Sequence, residues 1–274
     1  MPQLFQAKTN EGYTMKILAE LLQHNIKTAC FDIDDKSIRL RMMDSHRKIL
    51  LDVELYAENF SIYKFKPRNK LSIGINLNHY HKMLKSIKKK DSIILFIEEE
   101  TPGDLGIRVV PRENNRVTTS FIKIQNVQNL DIELPDGYLK PIIVPSNEYQ
   151  KMCKDMNNIG NTIAVKSQGF FIKFLCNAGS IYSREVTFGE TCVEDEEDND
   201  NNMNTISYSQ DFDTEQLSRI IKISGLNNTM QIFPGENLPL LFKSNIGNLG
   251  KISIFVKSKK QIEDEEFEDE SDSD

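Results

Sequence analysis

Three pairs of cationic side chains, each pair three residues apart, stand inside near-copies of one six-residue phrase. Lys82 and Lys85 lie in Tyr80-His81-Lys82-Met83-Leu84-Lys85, Lys151 and Lys154 in Tyr149-Gln150-Lys151-Met152-Cys153-Lys154, and Arg219 and Lys222 in Leu217-Ser218-Arg219-Ile220-Ile221-Lys222. A degenerate fourth copy, Thr14–Ala19, keeps Lys16 and two of the apolar residues, and the copies recur every 66 to 69 residues. Ammonium and guanidinium groups repeated in this way break no bonds; they attract anions, phosphates above all. Like charges three apart on a helix repel slightly, so helix stability does not ask for them. A polyanion shared by all the copies does.

Other chemistries are poorly supplied. Asp32, Asp34 and Asp35 offer carboxylates for Mg²⁺ and a nuclease-type phosphoryl reaction. Yet Asp34 and Asp35 read as a hairpin turn, where Asp is favoured for its bonds to backbone. No Gly-rich phosphate loop or Ser/His/Asp set accompanies them. His79 and His81 flank Tyr80 without a Cys or carboxylate at metal spacing and read as solvated. Cys30, Cys153, Cys176 and Cys192 show no CxxC spacing and read as reduced thiols of an intracellular protein. No cofactor or metal is expected.

The cations need helices to point them one way. At about 100° per residue, Tyr80, Met83, Leu84 and Ile87 share one face, and Lys82, Lys85 and Lys89 the opposite one. Tyr149, Met152, Cys153 and Met156 repeat the stripe with Lys151 and Lys154 behind it; Leu217, Ile220 and Ile221 repeat it with Arg219 and Lys222 behind. Almost no acid accompanies the three pairs on this reading.

Each helix is followed by short alternating or β-branched runs. These are Thr28–Ile33 and Ser37–Met43, Ser92–Glu98 and Gly106–Val110, Thr162–Val165 and Phe171–Leu175, then Met230–Phe233, Leu240–Lys243 and Ile252–Val256. Turn residues such as Pro102-Gly103-Asp104 and Pro234-Gly235 separate the runs. They predict antiparallel hairpins, and four helix-plus-meander units predict an α+β fold with helices on one face of a sheet. Gln125–Pro141 has no sustained period and reads as a linker between domains 1–124 and 142–259, each of two units. Internal pseudo-symmetry of this kind is commonly completed by closed oligomerisation, and the basic helices would then line the hole of a ring.

Charge is unevenly distributed. The formal net charge is −7; setting aside the nine acids of residues 261–274 takes it to +2, and the six of residues 194–200 take it to +8. The body is therefore basic. The segments 194–202 and 260–274 are too polar to pack and read as a flexible acidic loop and a disordered acidic tail. No run of about 18 apolar residues suggests a membrane span, and Met1–Phe5 lacks the layout of a signal peptide.

An ordered set of short segments resembles the proliferating cell nuclear antigen (PCNA) family of sliding clamps. These are Leu4-Phe5-Gln6-Ala7-Lys8, Ala29-Cys30-Phe31-Asp32-Ile33, Met43-Asp44-Ser45, Asn59-Phe60, Gly74-Ile75-Asn76-Leu77, Cys153-Lys154-Asp155-Met156, Ile159-Gly160 and Ile262-Glu263-Asp264-Glu265-Glu266. The resemblance runs from Phe5 to Glu266. It implies a homotrimeric ring of two-domain subunits, helices inside and sheets outside, opened by an ATP-driven clamp loader, encircling duplex DNA and tethering DNA polymerase and other replication and repair proteins. Lys16, Lys82, Lys85, Lys151, Lys154, Arg219 and Lys222 match DNA-facing positions, with Lys89 in the Lys88–Lys90 run at the rim.

The resemblance also implies a pocket for PIP-box-type peptides carrying an apolar residue and two aromatics. The matching positions are Met43, Arg47, Lys48, Leu50, Ile132, Leu134, Pro135, Pro239, Leu240 and Val256. Some departures bear on this. Arg47 and Lys48 replace His and Val, Val256–Gln261 stands where the family has Ala-Pro-Lys, and the ubiquitin-accepting lysine falls near Gly169. Subunit contacts are expected at edge strands around Val117–Ile124 and Ser180–Val186. The competing readings are a checkpoint-type subunit of a heterotrimer, a monomeric polymerase accessory factor, and a metal-dependent nuclease. The compartment follows the host: the nucleus, or a viral replication site.

Overall fold

The computed structural model describes residues 2–113, 116–127, 132–138, 140–189 and 208–271. Cys192 and the acidic segment 194–202 lie outside the described residues. The chain divides into two compact units, the first comprising Met1–Glu133, Gly225–Asn227 and Lys243–Ile254, the second the remainder.

In the first unit the elements run β1 (Gln3–Thr9), α1 (Gly12–Gln23), β2 (Thr28–Ile33), β3 (Ser37–Met43), β4 (Ile49–Tyr56), a short β5 (Ile62–Phe65), β6 (Leu71–Asn76), α2 (Leu77–Leu84), β7 (Ser92–Glu98), β8 (Asp104–Val110) and β9 (Thr118–Lys123). The repeat is thus strand, helix, then three strands; the leading strand was not among the runs read from the sequence. That strand does not pair with its own meander. β1 pairs with β5 and with β7 of the second repeat, in the order β5-β1-β7-β8-β9, whereas β6 pairs with β2 of the first, in the order β6-β2-β3-β4. Exchange of leading strands makes two repeats one folding unit, because neither repeat completes its sheet alone.

The second half of the sequence follows the same plan. Its elements are β10 (Ile142–Pro145), α3 (Ser146–Met156), β11 (Thr162–Gln168), β12 (Phe171–Ala178), β13 (Tyr182–Gly189), β14 (Tyr208–Asp213), α4 (Thr214–Arg219), β15 (Thr229–Phe233), β16 (Leu240–Ile246), β17 (Gly250–Val256) and α5 (Lys259–Ser271). β16 and β17 are divided between the two units. β14 joins the order β13-β12-β11-β14, and β10 pairs with β15. The α+β class is as the alternating runs suggest: two similar domains of antiparallel sheets flanked by helices.

The cores sit where helices meet sheets. In the first unit, Met15, Leu18 and Leu22 of α1 and Tyr80 of α2 converge with Phe5, Phe31, Ile33, Leu95 and Leu105 around an apolar space of about 30 Å³. In the second, Tyr149 of α3 contacts Phe242 and Phe174 at ring-centroid distances of 5.5 and 6.2 Å, all three fully buried. Each such aromatic removes a large apolar area from water, which is where most of the stabilisation arises.

Turn chemistry fixes the hairpins. Asp34 Oδ1 accepts from the backbone N–H groups of Lys36 and Ser37, both at 2.8 Å, closing the β2–β3 turn. Asn76 Oδ1 accepts from His79 N–H at 3.1 Å and so caps α2 where β6 hands over to it.

Three details depart from the sequence reading. α2 stops at Leu84, with Lys85 its C-cap, so Lys89 lies beyond the helix. α4 stops at Arg219 and continues as a 3₁₀ turn over Ile221–Gly225, so Lys222 is not on an α-helix either. The β-branched Ile220, Ile221 and Ile223 followed by Gly225 explain the early stop. The segment expected to be a disordered tail is helical from Lys259 to Ser271. Its start is a capping box: Ser258 N–H donates to Gln261 Oε1 at 2.9 Å, and Gln261 N–H to Ser258 Oγ at 3.3 Å. Lys257 then pairs with Glu265 at 2.6 Å, offsetting part of the acidic self-repulsion, and Lys259 pairs with Asp213 at the end of β14 at 3.2 Å.

Candidate nucleic-acid and partner surfaces

α2 and α3 present their cations as the angular argument requires. Tyr80 and Leu84 of α2, with Ile87 just after it, are buried, and Lys82 and Lys85 are exposed behind them. Tyr149, Met152, Cys153 and Met156 of α3 are all buried, with Lys151 and Lys154 exposed opposite. Met83 is the exception, being 37% exposed although it was assigned to the apolar stripe. Burial raises the Cys153 thiol to about 12, so it stays protonated in the core.

The cations are less free of acids than the sequence suggests. Lys151 pairs with Glu148 at 2.8 Å and Arg219 with Glu215 at 2.6 Å, each one helical turn away. A phosphate must compete with those carboxylates, although exposed pairs of this kind are weak, about 0.2–1 kcal/mol. Lys16 is engaged differently. Its ammonium donates to the carbonyl oxygens of Lys85, at 2.8 Å, and Ile87, at 3.2 Å, which ties α1 to the end of α2. In the second unit Gln150 Nε2 reaches the Ile221 carbonyl at 3.4 Å, setting the segment that carries Lys222 against α3. Within each unit, then, the structure gathers cations from two repeats.

His81 is partly buried rather than solvated. Burial holds its imidazole below the usual range; nearby Glu20 opposes this, and Lys16, His24 and Lys85 reinforce it. At neutral pH it is an uncharged member of an otherwise cationic surface.

The expected peptide-pocket residues divide by burial. Leu50, Leu240 and Val256 are core residues of their strands, at most 5% exposed. Met43, Lys48, Ile132, Leu134, Pro135 and Pro239 are half-buried and Arg47 is exposed. The loop after β3 is rigidly built: Asp44 Oδ1 accepts from Lys48 and Ile49 N–H at 2.7 and 2.9 Å, and Arg47 adopts φ 55°. In the same unit Arg41 Nη1 donates to the Ile132 carbonyl at 3.1 Å while its Nε pairs with Asp52 at 2.9 Å. In the second unit Tyr138 donates to the Pro239 carbonyl at 2.8 Å and packs edge-on against Phe233, with Phe255 also beside it. Tyr138 was not singled out from the sequence, though an aromatic in a proline-punctuated segment is a reasonable anchor.

The end strands of the described sheets include both segments expected at subunit contacts. β9 ends the order β5-β1-β7-β8-β9, and β13 ends the order β13-β12-β11-β14. Val117 and Phe121 along the first edge and Ile181 and Tyr182 at the second are all more than half exposed. Unpaired backbone with apolar side chains along it invites another strand.

The carboxylate cluster is structural. Asp34 accepts the turn N–H bonds above, and Asp32 takes Ser72 and Lys70 through its two oxygens. Among the described residues no group of His, Cys, Asp and Glu is arranged to hold a metal, and no helix is long and apolar enough to cross a membrane.

Comparison with known proteins meets this geometry. Residues 4–133 match the N-terminal domain model of proliferating cell nuclear antigen and residues 133–260 its C-terminal domain model. The chain is 24% identical over 255 residues to the probable DNA polymerase sliding clamp 1 of Paramecium bursaria Chlorella virus 1, covering 92% of this chain and 96% of that one. It is 25% identical over 258 residues to the proliferating cell nuclear antigen of Chaetomium thermophilum, covering 93% and 98%. To the probable DNA polymerase sliding clamp of Autographa californica nuclear polyhedrosis virus it is 24% identical over 270 residues, covering 96% and 100%. With both domain models matched end to end on a chain whose two units repeat one plan, this protein belongs to the proliferating cell nuclear antigen family.

Proposed function

We infer that the protein is a sliding clamp that closes around duplex DNA and holds DNA polymerase and other replication and repair proteins on it. Family membership makes it a DNA-replication scaffold without catalytic chemistry of its own. The observation that carries the finer reading is the matched placement of Lys82 on α2 and Lys85 at its C-cap, and of Lys151 and Lys154 on α3. All four are exposed behind a buried stripe, in the two family-matched halves. A tether that slides must attract phosphates without reading bases, and lysines on helices do that through non-specific, salt-dependent contacts.

In this reading Lys16, Lys89, Arg219 and Lys222 extend the DNA-facing set, and domains 1–124 and 142–259 are joined by linker 125–141. Three copies close the ring by pairing the β9 edge of one with the β13 edge of the next, which the exposed Val117, Phe121, Ile181 and Tyr182 favour. Peptides of the polymerase, the clamp loader and other partners are received at Met43, Arg47, Lys48, Ile132, Leu134, Pro135 and Pro239, the positions that match the family's peptide pocket. Leu50, Leu240 and Val256 support these residues from the cores. The cationic Arg47 and Lys48 favour peptides with acidic flanks. The protein works in the nucleus, or at a viral replication site if its host is a virus, as two of the relatives' sources are.

The test replaces Lys82, Lys85, Lys151 and Lys154 by Glu. The expected variant keeps the assembled mass, near three times 31.6 kDa, and loses stimulation of polymerase processivity. Full stimulation by that variant, or a monomeric wild type, would overturn the reading.

A further inference from the structure

Beyond α2 the first unit carries a second cationic feature of different shape. Ser86, Lys88, Lys89, Lys90 and Asp91 on one side, and Val109, Pro111, Arg112, Glu113, Arg116 and Thr118 on the other, line a cleft of about 650 Å³. The sequence reading placed Lys88–Lys90 at a rim and gave Arg112 and Arg116 no role. The structure brings the five cations together from two segments more than twenty residues apart.

Their carboxylate neighbours neutralise little of this charge. Among the described residues only Lys90 has an acidic partner, Glu113 at 3.7 Å, and that pair is mostly solvent-exposed. Asp91 is buried and committed to the turn: its Oδ2 accepts from Lys88 N–H at 2.9 Å, and its backbone carbonyl accepts from Gly12 N–H at 3.2 Å. Like charges held around a concavity raise the local potential and concentrate anions there. The volume of about 650 Å³ is far larger than one small anion needs. No aromatic side chain stands among the described lining residues, so the five cations favour backbone contact over base stacking. Ser86 joins the cleft directly to the end of α2, one residue from Lys85.

We propose that this cleft binds the phosphodiester backbone of single-stranded nucleic acid, as a site distinct from the duplex-facing Lys82, Lys85, Lys151 and Lys154, with Lys89 standing between the two. A positively charged groove that tracks the backbone is the electrostatic part of how single strands are held without sequence preference; the aromatic stacking that often accompanies it is not supplied by the described lining residues. The proposal rests on the clamp reading for its biological setting: the strand would be the unpaired arm beside a duplex held by the same molecule. The cleft itself depends only on the residues that line it.

The experiment measures binding of the full-length protein to a short fluorescent oligothymidylate and, separately, to a blunt duplex. For wild type, the oligonucleotide affinity falls as salt rises, with a logarithmic slope of roughly −0.7 per phosphate engaged. Arg112→Ala with Arg116→Ala weakens the oligonucleotide by about tenfold, counting several lost phosphate contacts, and leaves the duplex unchanged. Lys82→Ala with Lys151→Ala does the reverse. Arg112→Lys, which keeps the charge, retains oligonucleotide binding and shows that the loop is intact. Unchanged oligonucleotide affinity in the double-arginine variant overturns the proposal. So does displacement by tripolyphosphate that is as effective per phosphate as the oligonucleotide, which would make the cleft a small-anion pocket. A protein that binds the oligonucleotide as described but never supports processivity would sink the clamp reading and leave the cleft standing.

Discussion

The ammonium of Lys16 lies 2.8 Å from the carbonyl oxygen of Lys85, so one DNA-facing candidate holds the helix end that presents another. Lys16 belongs to the most degenerate copy of the repeated phrase, and its cation donates to the carbonyls of Lys85, the C-cap of α2, and of Ile87 just beyond it. The Lys85 carbonyl stands at the negative end of the α2 dipole, which favours a second cation there. Lys16→Met should therefore destabilise the first unit by about 0.5–2 kcal/mol, seen as a lower urea midpoint with unchanged slope. An unchanged midpoint would mean the contact contributes nothing.

His81 sets a pH dependence on the same surface. Its pKa in the fold is below the ordinary 6.5, because burial penalises the charged ring. The unfolded chain therefore takes up the proton first. The stability this group contributes is present above about pH 6.5 and is lost as pH falls toward its depressed folded value. Thermal melts between pH 8 and pH 5.5, both values bracketing the ordinary histidine pKa of about 6.5, should show a drop that His81→Gln reduces. Identical pH profiles for the two proteins would remove His81 from the account.

Leu50 and Met43 separate packing from docking. Leu50 is 5% exposed in β4, so Leu50→Ala should cost about 2–5 kcal/mol by leaving a cavity. Met43, half-buried at the end of β3, should lose little stability on change to Ala but weaken binding of a polymerase-derived peptide severalfold. Denaturation curves and peptide titration on both variants decide this. A Met43→Ala protein with wild-type peptide affinity would exclude that residue from the docking surface.

Ser258 tests the C-terminal helix. Ser258→Ala removes one half of the capping box and should cost α5 about 0.5–2 kcal/mol. Because α5 is terminal, the effect should appear as faster amide exchange over 261–267 and lower helical signal, with the main unfolding transition nearly unmoved. Unaltered exchange there would show that the ion pairs of Lys257 and Lys259 alone hold the helix.

These outcomes trace which features could be read from the residues. The stripes of Tyr149, Met152, Cys153 and Met156 and the lysines behind them were legible because burial of a helix face has a fixed angular period. The meander strands were legible for the same kind of reason, at period two. The exchange of β1 and β6 was not, since strand pairing between distant segments is set by tertiary fit and leaves no local pattern. Composition misled over α5: nine acids outweighed Ser258 and Gln261, although the Ser-x-x-Gln spacing was present. The short α4 was visible in its isoleucines and glycine, and the stripe obscured it. The pairing of Lys151 with Glu148 and of Arg219 with Glu215 was overlooked because each acid lies outside the repeated phrase. Burial of Leu50, Leu240 and Val256 could not be foreseen by matching positions to a family, which says where a residue falls but not how deep it sits.

The most direct test of the central claim is topological. The protein is loaded onto a nicked circular plasmid by its clamp loader, washed in high salt and then challenged by cutting the plasmid once. A closed ring held by linkage stays with the circle after the wash, because salt screens phosphate contacts but cannot unlink a ring, and it leaves when the DNA is linearised. Loss of the protein in the wash, or retention after cutting, would contradict encirclement.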